Sequence, residues 1–181
     1  MKKVVIGSLA LIGIAALIKV RQEKPLETVK NVDLKKYLGK WYDVASFPQS
    51  FQNGCSCTTA QYSLNSDGSV KVINTCNKNG RIKQSEGKAI IADKETNAKL
   101  NVSFFWPFTG KYWIIDLASD YSYAVVGHPN RKYLWILSRT PKMNEVVFKQ
   151  IVNRIREKGF DVSKLQMVDQ SCYDLLQNNG G

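Results

Sequence analysis

Short apolar stretches separated by turn-type sequences fill most of the chain after residue 39. Eight of them alternate apolar with polar residues or are rich in β-branched and aromatic side chains, which is typical of β-strands. They span 41–47, 58–64, 70–77, 82–92, 98–104, 112–117, 121–128 and 134–138. The connections, such as NSDGS, NKNG and HPNRK, are short and turn-like. This order predicts an antiparallel meander that forms either a sandwich or an up-and-down barrel.

One helix is predicted after the eighth strand. Its apolar face consists of Val147, Ile151 and Ile155. Asn144 is a suitable N-cap and Gly159 a suitable stop, so we expect a helix over 144–158, packed outside the strands. A short ninth strand is predicted at 165–168.

The N-terminal region, 1–22, differs in composition from the rest of the chain. Lys2 and Lys3 precede an apolar run, which is the pattern of a secretory signal peptide or an uncleaved membrane anchor. Both alternatives stay open, and in either case we expect the remainder to be exported. No cysteine follows the run, so no lipoprotein-type anchor is expected there. We assign 23–30 as a polar linker, 31–176 as the folded domain and 177–181 as a tail.

The chain contains four cysteines, Cys55, Cys57, Cys76 and Cys172. An even count in an exported domain favours two disulfides, for which three pairings are possible. The alternative is a zinc site with four cysteine ligands, but the paired C-x2-C spacing typical of such sites is absent from the sequence.

The net charge of +11 is spread over single Lys and Arg residues, which favours a solvated surface over a nucleic-acid interface. The aromatic residues lie among aliphatics, as in YWIIDL and YLWIL, and indicate an apolar interior. The one histidine, His128, lies in a turn, and neither G-x-S-x-G nor a phosphate-binding glycine loop occurs. We therefore expect no metal, cofactor or catalytic residue. The pattern favours a binding protein, since an eight-stranded barrel can hold one small ligand.

Three motifs then occur in a fixed order. Gly39-Lys40-Trp41 begins the first strand, Ser119-Asp120-Tyr121 joins the sixth and seventh strands, and Arg139 follows the eighth. These motifs resemble the signatures of the lipocalin family. Longer segments, such as LNVSFFWPFTGKYWIIDL and EKGFDVSKL, resemble bacterial lipocalins related to apolipoprotein D. The resemblance covers about 31–172 and implies an eight-stranded antiparallel up-and-down β-barrel with one C-terminal helix outside and a short ninth strand.

The resemblance also implies roles for individual residues. Trp41 would lie at the closed end beneath the Arg139 guanidinium, and Gly39, Asp120 and Tyr121 would belong to the same end. These residues would be structural. Two disulfides would pair Cys57 with Cys172 and Cys55 with Cys76.

Side chains alternate between the two faces of a strand, and the resemblance to the family implies which face points inward. Together they imply a group of residues that face the calyx and bind the ligand. The set is Ala45, Phe47, Leu100, Val102, Phe104, Tyr112, Ile114, Tyr133, Trp135 and Leu137.

The function implied is binding, storage or transport of a small lipophilic ligand, a fatty acid or a lysophospholipid, in support of membrane lipid maintenance. Partners would be that ligand and a membrane surface or anchor, without nucleic acid. The location would be the cell envelope (periplasmic, membrane-anchored or outer-membrane associated) or secreted. Two alternatives stay open: a lipid-modifying enzyme with an inward reactive group, and a membrane-associated scaffold whose barrel is plugged.

Overall fold

Nine antiparallel β-strands form one sheet that closes into a barrel in the computed structural model, which describes residues 24–173. The strands are β1 Gly39–Ser46, β2 Cys55–Leu64, β3 Val70–Lys78, β4 Arg81–Ile91, β5 Lys99–Phe105, β6 Phe108–Leu117, β7 Tyr123–Gly127, β8 Leu134–Ser138 and β9 Gln166–Met167. β2 to β8 pair in chain order, β1 pairs with β8, and the β1–β2 pairing closes the ring. The predicted fold class, an up-and-down barrel with a ninth strand, is confirmed.

The long helix α2, Glu145–Glu157, matches the prediction, and the side chain of Asn144 accepts hydrogen bonds from two backbone N–H groups of its first turn. A second helix, α1 Leu34–Tyr37, was not predicted; Asp33 caps it in the same way. Two 3₁₀ turns occur at Ser50–Gln52 and Val162–Lys164. Within residues 24–173, no helix combines the length and apolar character needed to cross a membrane. The predicted signal or anchor and the tail lie outside the described residues.

The barrel has two different ends. The base is the end at which β1 begins, where α1 contributes side chains to the apolar interior. The mouth is the opposite end, formed by the loops 47–54, 79–80, 106–107 and 128–133.

Two apolar clusters lie on opposite sides of the barrel wall. The interior cluster contains Trp41 and Tyr62 together with aliphatic residues from most of the strands. The outer cluster joins Ile151 and Ile155 of α2 to the outside of the barrel. Residues 24–30, predicted as a linker, are packed as well: Leu26 is buried in the outer cluster, and Val29 packs against the interior cluster. The outer cluster thus fixes the helix, and both clusters fix this segment to the barrel.

A β-bulge in β1 changes the direction of its last side chains. Asp43 pairs with Leu137, which faces the interior, but Ala45 pairs with Ile136, which belongs to the outer cluster. Val44 is the extra residue. A bulge shifts the alternation of one strand relative to its neighbour. Ala45 and Phe47, predicted to face the calyx, therefore pack in the outer cluster, and Ser46 pairs with the inward-facing Trp135 instead.

Candidate ligand-binding site

The base of the barrel is closed around Trp41, which is completely buried. The Arg139 guanidinium carbon lies 3.7 Å from the centre of the indole ring. Its nitrogens donate to the carbonyl oxygens of Lys40 at 2.8 Å and Lys36 at 2.6 Å. The indole N–H donates to the carbonyl of Tyr37 at 2.8 Å. Arg139 thus satisfies several backbone acceptors while its charge rests on an aromatic face, an interaction worth about 0.5–2 kcal/mol.

The other residues of the three motifs lie at the same end. Gly39 has a φ of +95°, and a Cβ there would lie 3.4 Å from Arg139, so a side chain would be both strained and crowded. Tyr121 accepts a hydrogen bond from the N–H of Asp33 at 2.8 Å, which ties α1 to the β6–β7 turn. Asp120 caps that turn through its carboxylate. The geometry gives these residues contacts with backbone and not with the calyx.

Three tyrosines form the floor of the calyx. The Tyr112 hydroxyl lies 2.7 Å from that of Tyr37 and 2.9 Å from that of Tyr62. Burial raises the pKa of Tyr62 to about 12 and raises the pKa values of Tyr37 and Tyr112 well above their ordinary value, so all three hydroxyls stay neutral. A cavity of about 10 Å³ remains beneath them, with space for about one water molecule. The lower half of the barrel is therefore filled.

The predicted calyx residues divide into three groups. The first group is buried in the interior cluster and consists of Leu100, Val102, Ile114 and Leu137. Tyr112 packs against the same cluster and belongs to the tyrosine floor. Phe104, Tyr133 and Trp135 lie towards the mouth. Ala45 and Phe47 lie on the outer wall. The part of the predicted set available to a ligand is thus the mouth group together with the tyrosine floor.

Trp135 is the central side chain of the mouth group. It is half-buried, stacks on Tyr133 with an interplanar angle of 14°, and donates from its indole N–H to Oε1 of Gln52 at 3.1 Å. Across the barrel, Phe104 covers Gly87, where a Cβ would lie 2.8 Å from the phenyl ring. Phe104 keeps 44% of its surface exposed, as expected for an inward side chain near an open end.

Gln52 connects the mouth group to a buried carboxyl group that the sequence analysis did not assign to the site. Its Nε2 donates to Oδ2 of Asp43 at 3.2 Å, and Asp43 is only 3% exposed. Burial raises the pKa of Asp43 to about 7, and the nearby polar groups of Gln52 and Ser46 offset part of this effect. Side chains alternate along a strand, so Asp43, two residues after the inward-facing Trp41, should also face the interior. This was the signal in the sequence that could have identified it.

Both disulfides lie in the mouth half of the barrel. Cys55 is joined to Cys76 between β2 and β3, and Cys57 is joined to Cys172 beyond β9. This is the pairing that the resemblance implies, and it uses every cysteine of the chain. Among residues 24–173, no group of His, Cys, Asp or Glu side chains has the arrangement of a metal site.

A family model described as a lipocalin-like domain matches residues 32–170, which is well over half of the chain. The chain belongs to the lipocalin family. Temperature-induced lipocalin-1 of Arabidopsis thaliana is 44% identical over 160 residues, covering 83% of this chain and 86% of the relative. Outer membrane lipoprotein Blc of Escherichia coli K12 is 46% identical over 144 residues, covering 78% and 81%. Bovine apolipoprotein D is 36% identical over 151 residues, covering 78% of each chain.

Among solved structures, insecticyanin of Manduca sexta superimposes with a TM-score of 0.66 at 24% identity, covering 81% of this lipocalin and 85% of insecticyanin. That similarity supports the fold alone. Membership of the family supports the coarse function predicted from the sequence, the binding or transport of a small hydrophobic ligand. Lipocalins are generally binding proteins and not enzymes.

Proposed function

We propose that this lipocalin binds and carries a fatty acid or a lysophospholipid, with the acyl chain in the upper calyx. The observation that carries the proposal is the pair of aromatic side chains between the tyrosine floor and the mouth, where Trp135 is half-buried and Phe104 stays 44% exposed. Each methylene removed from water there contributes about 0.8 kcal/mol before the costs of binding. Branched or bulky ligands fit less well, since the filled floor leaves only the upper part of the barrel.

The same proposal places the protein at a membrane surface after export, in the cell envelope or secreted, where it supports lipid maintenance. The β5–β6 loop at the mouth supports this placement. Phe105, Trp106 and Phe108 are 77%, 86% and 73% exposed, and the exposed Arg81 and Lys83 lie on the neighbouring strand. Exposed aromatic residues beside basic ones suit the interface of an anionic bilayer. The Blc relatives are named outer membrane lipoproteins, which agrees with such a location.

A tryptophan fluorescence titration tests the ligand. Delipidated protein is titrated with fatty acids and lysophospholipids, and we expect a saturable change at micromolar ligand. Trp135→Phe should abolish most of that change and weaken binding. Trp113→Phe is the matched control, because Trp113 packs against the outer cluster and beneath Lys99. Absence of binding by every lipid, confirmed by calorimetry, would overturn the proposal and favour the plugged scaffold.

The enzyme alternative has less support. One form of this alternative needs a free thiol that points into the barrel. The two disulfides use all four cysteines of the chain, so no cysteine is left to provide that thiol. The plugged scaffold is favoured by one observation, the tyrosine floor, but that floor fills the lower barrel and leaves Trp135 half-buried above it.

A further inference from the structure

The first described residue, Lys24, lies at the mouth of the barrel. Arg131, in the β7–β8 loop, donates hydrogen bonds from its guanidinium to the carbonyl oxygens of Lys158 at 2.7 Å and Lys24 at 2.5 Å. The segment that follows ends at the base, where the Val32 N–H donates to the carbonyl oxygen of Thr96 at 2.8 Å. Residue 24 is therefore held beside the mouth, and residue 32 beside the base.

Arg131 reaches this position because residue 159 is a glycine. A Cβ on Gly159 would lie 3.0 Å from Nε of Arg131, and the φ of +85° at Gly159 favours a residue without a side chain. One arginine thus joins the end of α2 and the start of the described chain to a mouth loop.

The apolar run at 4–20, predicted as a signal peptide or an uncleaved anchor, precedes Lys24 by only a few residues. The run itself lies outside the described residues. A chain spans at most about 3.6 Å per residue, so the four steps from residue 20 to residue 24 cover no more than about 14 Å. Strands of about eight residues, tilted by about 40°, form a wall about 20 Å high. A bilayer that held the run would therefore lie within reach of the mouth but not of the base.

The loops at the two ends of the barrel differ in charge. None of the four mouth loops contains Asp or Glu, whereas each of the three strand-to-strand connections at the base contains at least one. The acidic residues of the base connections are Asp67, Asp93, Glu95 and Asp120. The exposed basic residues Arg81, Lys83 and Lys132 lie in or beside the mouth loops. An anionic bilayer therefore attracts the mouth and repels the base.

Exposed apolar side chains surround the same opening. Besides the aromatic residues of the β5–β6 hairpin, Phe51 in the β1–β2 loop is 65% exposed and Ile82 at the start of β4 is 67% exposed. Three of the four mouth connections thus present an apolar side chain to the solvent or lie directly beside one. Exposed apolar groups indicate a surface that a partner covers, and aromatic residues are enriched at the lipid–water interface.

We propose that the N-terminal run stays attached and holds the barrel on an anionic bilayer with the mouth of the calyx towards the lipids. The short connection from the run to Lys24 limits the distance, and the charge and apolar residues of the mouth set the orientation. This inference rests on the proposed function, because it determines how the calyx meets its source of lipid. A ligand that leaves the bilayer would then enter the calyx without crossing bulk water.

Quenching of tryptophan fluorescence by lipids tests the orientation. The full-length protein, purified with residues 1–22, is reconstituted in vesicles of phosphatidylcholine and phosphatidylglycerol with brominated acyl chains. Every variant carries Trp135→Phe, so that lipid bound in the calyx does not contribute. Trp106→Phe should lower the quenching at least threefold, and Trp113→Phe should leave it unchanged. Leu64→Trp, added to Trp106→Phe, is the reporter at the base and should stay unquenched; quenching of this reporter would overturn the proposal.

Lengthening the connection isolates the part that the run plays. A flexible insert of about 20 Gly and Ser residues after Gln22 keeps the run but removes the limit on distance. Phe105→Ser with Phe108→Ser should lower the quenching less than twofold in the natural chain and at least fivefold in the lengthened one. Leu64→Ser with Ile90→Ser, which removes exposed apolar groups near the base, is the matched control and should change neither. Equal losses in the two chains would overturn the role of the short connection.

The intact mass of the protein after export by a bacterial host shows whether residues 1–22 remain. Their removal would overturn the proposal and leave the calyx function standing, because the same protein can still be titrated with lipids. A protein whose Trp106 is quenched by the bilayer but which binds no lipid in that titration would overturn the calyx function and leave the orientation standing.

Discussion

The base and the mouth of this barrel are held together by different means. At the base, a buried tryptophan, an arginine over its ring and a short helix fill the space, and backbone carbonyls accept the arginine's hydrogen bonds. At the mouth the interior is only partly filled, and two disulfides connect the strands and the C-terminal segment. Burial and hydrogen bonds thus stabilise the base, and covalent links stabilise the mouth. The comparison predicts where substitutions change stability and where they change binding.

The largest effect is expected from the disulfide that spans most of the domain. Cys57 and Cys172 are 115 residues apart, and closing a loop of that size contributes about 4–5 kcal/mol in the chain-entropy model. The double serine variant should lose about this much in urea unfolding. The Cys55–Cys76 pair closes a loop of 21 residues and should lose about 3 kcal/mol. If the two double serine variants lost equal stability, the entropy of the unfolded chain would not explain how the disulfides stabilise the mouth.

Trp41→Ala tests the base. Removing a fully buried tryptophan leaves a cavity and strips Arg139 of its aromatic partner, and we expect the free energy of unfolding to fall by about 3–5 kcal/mol. The affinity of the fraction that remains folded should not change, because Trp41 is fully buried at the base against Arg139. Trp135→Phe should show the reverse: a small loss of stability and a large loss of affinity. If the folded Trp41→Ala variant bound ligand more weakly, this would contradict the separation between a stabilising base and a ligand-binding mouth.

Asp43 should make stability depend on pH. Its pKa is raised from 3.8 to about 7, so between these values the unfolded chain loses a proton that the folded protein keeps, and stability falls as pH rises. Asp43→Asn should be more stable than wild type above pH 7, by about 1–4 kcal/mol, and similar near pH 4. Thermal unfolding from pH 4 to pH 8 measures the difference.

The matched control is Asp169→Asn, since Asp169 follows β9 and lines the same cleft at the mouth as Asp43. Hydrogen bonds from Ser171 lower the pKa of the exposed Asp169, so this substitution should decrease stability at neutral pH and not increase it. A wild-type profile that is flat from pH 4 to pH 7 would contradict the burial effect at Asp43.

The smallest effect concerns the inner wall near the mouth. A Cβ on Gly87 would lie 2.8 Å from the Phe104 ring and 2.9 Å from the carbonyl oxygen of Ser103. Gly87→Ala should therefore displace Phe104, cost about 1–2 kcal/mol of stability and weaken lipid binding. Gly110→Ala is the control, since its Cβ would lie 3.9 Å from the nearest atom, on the strand opposite Val102. Equal effects of the two substitutions in unfolding and lipid titration would argue against the contact.

The fold could be predicted from local signals, because alternation, turn residues and caps each act over a few positions. The base could be assigned because Gly39, Trp41 and Arg139 form a recognisable set. The side-chain directions at the end of β1 could not be predicted, because the bulge at Val44 reverses them and the pattern of apolar and polar residues does not reveal it. The helix α1 was missed because four residues are too few to show a helical period.

The tyrosine floor could not be predicted for another reason. Alternation gives the face of each strand, but which inward side chains meet at the centre depends on the stagger between strands around the barrel. Tyr37 comes from α1, Tyr62 from β2 and Tyr112 from β6. Alternation from Trp41 predicts that Asp43 faces inward, but its contact with Gln52 could not be predicted, because Gln52 lies in a loop.

The tyrosine floor gives the calyx a fixed depth and hence a preferred chain length. The terminal methyl group of an acyl chain must stop at the rings of Tyr62 and Tyr112, since the cavity beneath them has space for about one water molecule. Affinity should increase by a nearly constant factor with each added methylene until the chain reaches the floor. Beyond that length, extra carbon atoms remain in water or displace the headgroup, and affinity levels off. The hydroxyl groups of three aromatic residues would then act as a molecular ruler.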